Sequence, residues 1–199
     1  MSLSLVKKQH KSLSNTMATT TTKTAFVNPM KTVSVAQVTL NMGAGKNEEL
    51  LKKGLVLLEK ISTPIKPVKT ITTKRIAGWG LRPGLAIGCK VTIRKNAELL
   101  LKRLLTAKGN IICAKNFDRQ GNFSFGIPEY IDIPGLAYDP DLKILGLDVA
   151  VTLKRPGFRI TQRKVRPTTM GKKQHISKEA AMDFVHSLGV EITEREAAP

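Results

Sequence analysis

The sequence predicts an α+β domain: a mainly antiparallel sheet with helices packed on one face and a basic opposite face, preceded by a disordered basic N-terminal extension. Three observations carry that expectation. Hydrophobic residues form 41% of the 199 positions, enough for a core. From residue 31 onward the apolar period alternates between that of a strand and that of a helix. Finally, Lys60–Ala97 and Val149–Lys178 each hold nine lysines and arginines and no acid, threaded with Val, Ile and Leu. Crowding like charges into a folded segment costs self-repulsion that a polyanion relieves. The length suits one domain over 31–190, with a flexible extension at 1–30 and a tail at 191–199.

The extension is rich in Ser, Thr and Lys, and its stretch Ala18–Lys23 has no apolar period to bury. Two readings stand, a tail that lies along RNA and an organelle transit peptide, although arginine is absent; Met17 and Met30 are alternative starts. Val33, Val35, Val38 and Leu40 predict a first strand ending at Asn41-Met-Gly-Ala-Gly45. A helix follows from Asn47, with Glu48 and Glu49 in its first turn and Leu51, Leu55, Leu58 and Ile61 on its core face, stopped by Pro64 and Pro67. Val68 to Arg75 reads as a strand, and Gly78-Trp-Gly80 with Pro83-Gly84 as a loop.

In the next strand Ile87, Cys89, Val91 and Ile93 point one way and Gly88, Lys90, Thr92 and Arg94 the other, the alternation of a one-sided sheet. Asn96 is placed to cap a helix with the stripe Leu100, Leu101, Leu104 and Leu105. Asp118-Arg-Gln-Gly121 predicts a hairpin between Ile111–Lys115 and Asn122–Ile127. Leu147, Val149, Val151 and Leu153 alternate with Asp148, Ala150, Thr152 and Lys154 in a further strand. Ser177 caps a last helix with Ala181, Phe184, Val185 and Leu188 inward, closed by Gly189.

With 33 basic and 15 acidic residues the net charge is +18, and the pI of about 10.2 is that of a nucleic-acid-binding domain. No apolar stretch approaches the roughly 18 residues that span a bilayer. The basic zones are also not one amphipathic helix, which argues against a membrane partner. Cys89 and Cys113 read as small core residues of a protein in a reducing compartment. The acids Asp118, Glu129, Asp132, Asp139, Asp141 and Asp148 cluster against only Arg119 and Lys143. Either this segment meets a protein partner, or the acids only keep it soluble.

Catalytic and cofactor patterns fail one by one. Gly43-Ala-Gly45-Lys46 has Asn47 where a phosphate-binding Walker loop needs Ser or Thr, and Leu40 where it needs its first glycine. What remains there is a helix N-terminus beside Lys46, able to hold one RNA phosphate. His175 and His186 have no partnering nucleophile or carboxylate pair, and no metal-ligand spacing occurs, so neither an enzyme nor a cofactor is expected. Phe123 and Phe125 echo the base-stacking strand of RNA-recognition motifs, but Gln120 stands where a basic residue belongs, and both read as core. Trp79, near Arg75 and Arg82, either stacks on a nucleotide or is buried under its loop. Aromatics are 5% of the chain, so phosphate contacts must dominate any RNA affinity. The basic residues Arg155, Arg159, Arg163, Lys164, Arg166, Lys172 and Lys173 are the obvious suppliers.

Five ordered words carry a resemblance: Val38-Thr-Leu-Asn-Met-Gly43, Lys66-Pro-Val-Lys-Thr-Ile-Thr-Thr-Lys74, Ile87-Gly-Cys-Lys-Val-Thr-Ile-Arg94, Asn116-Phe-Asp-Arg-Gln-Gly-Asn-Phe-Ser-Phe-Gly126, and Tyr138-Asp-Pro with Gly146-Leu-Asp148. Over roughly residues 31 to 188 the chain resembles the large-subunit ribosomal protein L-five family, which binds 5S rRNA. Lys154-Arg-Pro-Gly-Phe158 and His175-Ile-Ser-Lys-Glu179 look like its archaeal and eukaryotic branch. The resemblance implies a cytoplasmic ribosomal protein of the central protuberance that joins 5S rRNA to the large rRNA. It would border the P-site tRNA, touch neighbouring large-subunit proteins, and bridge to the small-subunit head through protein S-thirteen. By motif, Asn41, Lys69, Thr70, Lys90, Thr92 and Arg94 would face 5S rRNA, and the loop Gly78–Gly84 with Trp79 and Arg82 would reach the tRNA elbow.

Overall fold

Backbone pairing in the computed structural model, which describes residues 28–194, starts from β1 (Ser34–Gly43). Its apolar phase changes between Val35 and Val38 because the register slips by one residue between Val35 and Gln37, a bulge that keeps both valines on the core side. In α1 (Glu48–Ser62) Asn47 caps the first turn, its Oδ1 accepting from the amides of Glu49 and Leu50 at 3.0 and 3.4 Å. The buried stripe is Leu51, Leu57, Leu58 and Ile61, whereas Leu55, expected inward, is only half-buried. The reason is Gly54. A methyl group there would lie 2.7 Å from Met42 Sδ and 2.9 Å from Cys89 Sγ, so the helix approaches the sheet along the line through Gly54 and turns Leu55 aside.

β2 (Val68–Ile71) is shorter than the run to Arg75 that the sequence suggests, because the chain after Thr72 folds back on itself. Thr72 donates its amide to Leu85 O, and Ile76 bridges to Leu81. β3 (Ala86–Ile93) has the expected alternation, with Cys89, Val91 and Ile93 buried and Lys90 exposed. α2 (Ala97–Ala107) buries all four predicted leucines. Asn96 does precede it, but in the left-handed region (φ 55°) and without a side-chain cap, so its role is to turn the chain.

The hairpin expected around Asp118–Gly121 does not form. The turn itself is present, with Gly121 N donating to Asp118 O and a single bridge between Phe117 and Phe123. The 3-10 turn Ala114–Asn116 bends the chain before that bridge can extend. β4 (Ile111–Cys113) instead runs parallel to a strand from residues 191–193, which the sequence reading assigned to the tail, while β5 (Phe123–Ile127) joins the main sheet. β6 (Leu147–Lys154) alternates as predicted, and the basic stretch after it contains the one-turn helix α3 (Arg159–Gln162). Ser177 caps α4 (Lys178–Ser187), accepting from Ala180 N at 3.3 Å. Ala181 and Val185 are buried, and Phe184 and Leu188 only partly. β7 (Glu191–Thr193) completes the pair with β4.

The main sheet has the order β2-β3-β1-β6-β5 with every pairing antiparallel. Val38, Leu40, Val91, Val149, Val151 and Phe125 project from one face into a core shared with the leucines of α1 and α2 and with Val185 of α4. The other face is left to polar and small residues. The expected architecture of helices on one side of an antiparallel sheet is therefore observed, and Cys89 and Cys113 are free and buried as expected. The 1–27 part of the expected extension and residues 195–199 lie outside the described residues.

Candidate nucleic-acid interface

Strand register decides which side chains share the open face. Thr39 pairs with Thr92, Asn41 with Lys90 and Gly43 with Gly88. Asn41 also pairs with Asp148, Asp148 with Gly126, and Lys90 with Val68. One row thus crosses all five strands: Val68, Lys90, Asn41, Asp148, Gly126. The next carries Thr92, Thr39, Ala150 and Ser124, and the two threonine hydroxyls lie 3.3 Å apart. Asn41, Thr70, Lys90 and Thr92 fall on this face as expected, and Arg94 is exposed just beyond its edge. Lys69 does not. It pairs with Cys89 on the opposite pleat and is exposed only because β2 is an edge strand. Thr39, Gln37 and Ser124 were not anticipated as part of the face; cross-strand register, which a single sequence does not reveal, is what puts them there.

The face is less cationic than the sequence suggests, because small residues occupy most of it and Asp148 sits exposed within it. The smallness has a use. A run of Gly, Ala, Ser and Thr lets a ligand approach the sheet closely and presents hydroxyls to it. At Gly88 a methyl would lie 2.6 Å from Met42 O and 3.0 Å from Thr70 Oγ1, so no larger residue fits the row beside Lys90.

A second cluster forms at one end of the sheet. The Lys46 side chain lies over Gly80, which joins the first turn to the loop of Arg75, Trp79 and Arg82. Trp79 is 70% exposed, so of the two readings of this residue burial is the one that fails. Of the amides expected to be free at the helix N-terminus beside Lys46, those of Glu49 and Leu50 are taken by Asn47 Oδ1, and in the turn before it the amides of Ala44 and Gly45 both donate to Ile87 O, at 2.9 and 3.0 Å. Lys46 can meet an anion there with its ammonium, but those amides cannot.

The third cluster is residues 154–173. Arg159, Arg163, Lys164, Arg166, Lys172 and Lys173 are exposed. Arg155 is different. Its guanidinium donates to Lys173 O and His175 O at 3.2 and 3.4 Å and pins the segment to its own end. Gln174 extends the pin by donating to Pro156 O and Met30 O, and Ile176 packs onto Gly121.

Among the described residues the only ion pair is Lys60–Asp139, at 2.6 Å, and it involves none of the cations named above. The Lys60 hydrogen bond, then the Asp141 amide, hold the Asp139 carboxyl below its ordinary range. None of the cations of the second and third clusters, nor Lys90 nor Arg94, forms an ion pair among the described residues. Phe123 and Phe125 are 2% and 4% exposed, which removes the single-strand reader that would have stacked bases on them. His186 is exposed on α4, and no group of three or more His, Cys, Asp or Glu is placed to hold a metal among the described residues. No helix of the described residues is long and apolar enough to cross a membrane.

Comparison with known proteins meets this geometry. Residues 86–186 match the family model described as the ribosomal L5P family C-terminus. The chain is 46% identical to the large ribosomal subunit protein uL5 of Sulfurisphaera tokodaii, over 82% of this chain and 93% of the relative. It is 45% identical to that of Nitrosopumilus maritimus, over 82% and 95%. The uL5 of Nanoarchaeum equitans is 43% identical, over 82% and 98%.

Proposed function

This chain belongs to the uL5 family of large-subunit ribosomal proteins, and we propose that within that family its task is to seat 5S rRNA on the open face of the sheet and to tie it to the large rRNA through the basic segment. The protein is a structural, non-catalytic component of the large ribosomal subunit of the cytoplasm, working among rRNA and other ribosomal proteins. The finer assignment rests chiefly on one observation: Lys90 on the helix-free sheet face, Arg94 at its margin and the exposed cations Arg159, Arg163, Lys164, Arg166, Lys172 and Lys173 form no ion pair among the described residues. Unpaired surface charge is what counterion release needs.

Asn41, Thr70, Thr92 and Lys90 contact 5S rRNA in this reading, with Arg94 at the margin. Lys46, Arg75, Trp79 and Arg82 form the end that borders the P-site tRNA, where the exposed indole offers a stacking face. The acidic segment with its exposed Tyr138 and Ile144 is the surface left for proteins, protein S-thirteen of the small-subunit head among them. Titration of 5S rRNA affinity against salt tests the assignment. With about six phosphates neutralised the log-log slope is roughly −4 to −6. A flat response would remove the RNA seat.

A further inference from the structure

Between the end of β6 and the basic segment lies a cavity of about 440 Å³, large enough for a small-molecule-sized group. Leu153, Phe158, Met170 and Ile176 give it apolar lining, glutamines, threonines, Asn122 and His175 give it polar lining, and Lys154 and Arg155 are its two basic residues. We propose that this cavity receives one nucleotide of the bound RNA, turned out of its stack, with the base against Phe158 and its phosphate on Lys154. The proposal rests on the RNA-binding reading above and names a subsite within it.

The composition of the wall selects the occupant. An inorganic anion gains nothing from the apolar residues, and an apolar peptide gains nothing from Lys154 beside them. A nucleotide is flat and apolar on its base faces and anionic at its phosphate, so it satisfies both. A paired RNA helix keeps its bases stacked inside, so only an unpaired, extruded base can enter. No acidic residue lines the cavity.

The aromatic inventory points the same way. Phe117, Phe123 and Phe125 pack on one another with ring centroids 5.2 and 6.4 Å apart, consumed by the core. Phe158 is the only aromatic residue of the basic segment, and it lines the cavity partly buried. The frame around it is also fixed in advance. Arg155 is tied to the carbonyls of Lys173 and His175, and Gln174 to those of Met30 and Pro156 at 3.1 and 2.8 Å. Gly121, at φ 76°, admits Ile176 so closely that a methyl there would come within 2.6 Å of it. A preformed wall spares the ordering cost of closing around the base.

The test compares Phe158→Leu, Phe158→Trp and Lys173→Gln in the full chain, with 5S rRNA binding measured across salt and folding checked by thermal melting. Stacking of one base on an aromatic ring corresponds to roughly a 5- to 100-fold change in affinity. Phe158→Leu is therefore expected to weaken binding by that factor at every salt concentration without changing the slope, and Phe158→Trp to restore it. Lys173→Gln should flatten the slope by about one. Wild-type affinity for Phe158→Leu, with the lysine effect intact, overturns the nucleotide subsite and leaves the RNA-binding reading standing; a Phe158→Leu effect on melting alone does the same. Salt-independent binding of the wild type overturns both. Photocrosslinking of the wild-type complex needs no variant to fold. Nucleotide adducts on Phe158 or Met170 are expected, and adducts confined to other peptides would refute the subsite.

Discussion

On the open face of the sheet, Lys90 stands among Thr39, Asn41 and Thr92, on backbone held by ladders across five strands. In residues 155–173 more than half a dozen cations ride on irregular chain whose ties are a few side-chain to carbonyl bonds from Arg155, Arg163 and Gln174. One region has geometry and little charge; the other has charge and little regular structure. The difference separates two tasks that one surface would perform poorly together. In the proposed reading the small-residue face fixes register against a folded RNA, whereas dense like charge would strain such a sheet by self-repulsion. Dense charge is tolerable on chain that spreads into solvent, and there the same reading has it supply most of the salt-dependent affinity.

The largest expected effect comes from removing that charge. Changing Arg163, Lys164, Arg166, Lys172 and Lys173 together to Gln should flatten the salt slope for 5S rRNA by about 4, near one per contact, and lower affinity at low salt by tenfold or more. Melting temperature should hardly fall, because all five are exposed and the one tie among them, Arg163 to Arg166 O, lies at the surface. An unchanged slope would give the affinity to the sheet instead.

Next come changes to the frame. Gly54→Ala forces a methyl against Met42 and Cys89, and overpacking of that kind costs about 1–3 kcal/mol, visible as a lower denaturant midpoint. Gly121→Ala combines a positive φ with contact on Ile176, so it should loosen the basic segment, measured as faster proteolysis between residues 155 and 173. If either variant instead affected the other region equally, the two regions would not be separate units.

A point change on the rigid face is smaller. Lys90→Glu puts a second acid beside Asn41 and Asp148 and should weaken 5S rRNA binding by about tenfold, with stability unchanged because the residue is exposed. Smallest is the pH effect of Asp139. Its pKa is lowered in the folded protein, first by the Lys60 hydrogen bond. The stability it contributes is therefore present above the unfolded carboxylate range and is lost as pH falls through the lower folded value. Asp139→Asn should shift acid unfolding slightly to higher pH and leave RNA binding at neutral pH intact.

Much of this was legible in the chain. The alternation at 147–154 and at 87–93 reports burial directly, since side chains of a strand take opposite faces at every step. Asn47 and Ser177 announce their helices because their side chains satisfy the first free amides. What the sequence hid depends on partners distant along the chain. β4 pairs with β7 some 80 residues later, and nothing local in Ile111–Cys113 encodes that choice over the nearer β5. Lys69 faces away from the open face because of its pairing with Cys89, a register no periodicity gives. The role of Arg155 as a pin is invisible for the same reason, since one arginine in a basic run looks like the rest until its carbonyl partners are known.

Protection of lysines from amine acylation, read by mass spectrometry with and without 5S rRNA, compares the two sides of the molecule in a single experiment. Lys90, Lys154, Lys172 and Lys173 should become protected on binding, while Lys52 of α1 and Lys102 of α2, exposed on the helical side, should react as in the free protein. Protection of Lys52 and Lys102 with Lys90 left reactive would mean that RNA sits on the helices and that the open sheet is not its seat.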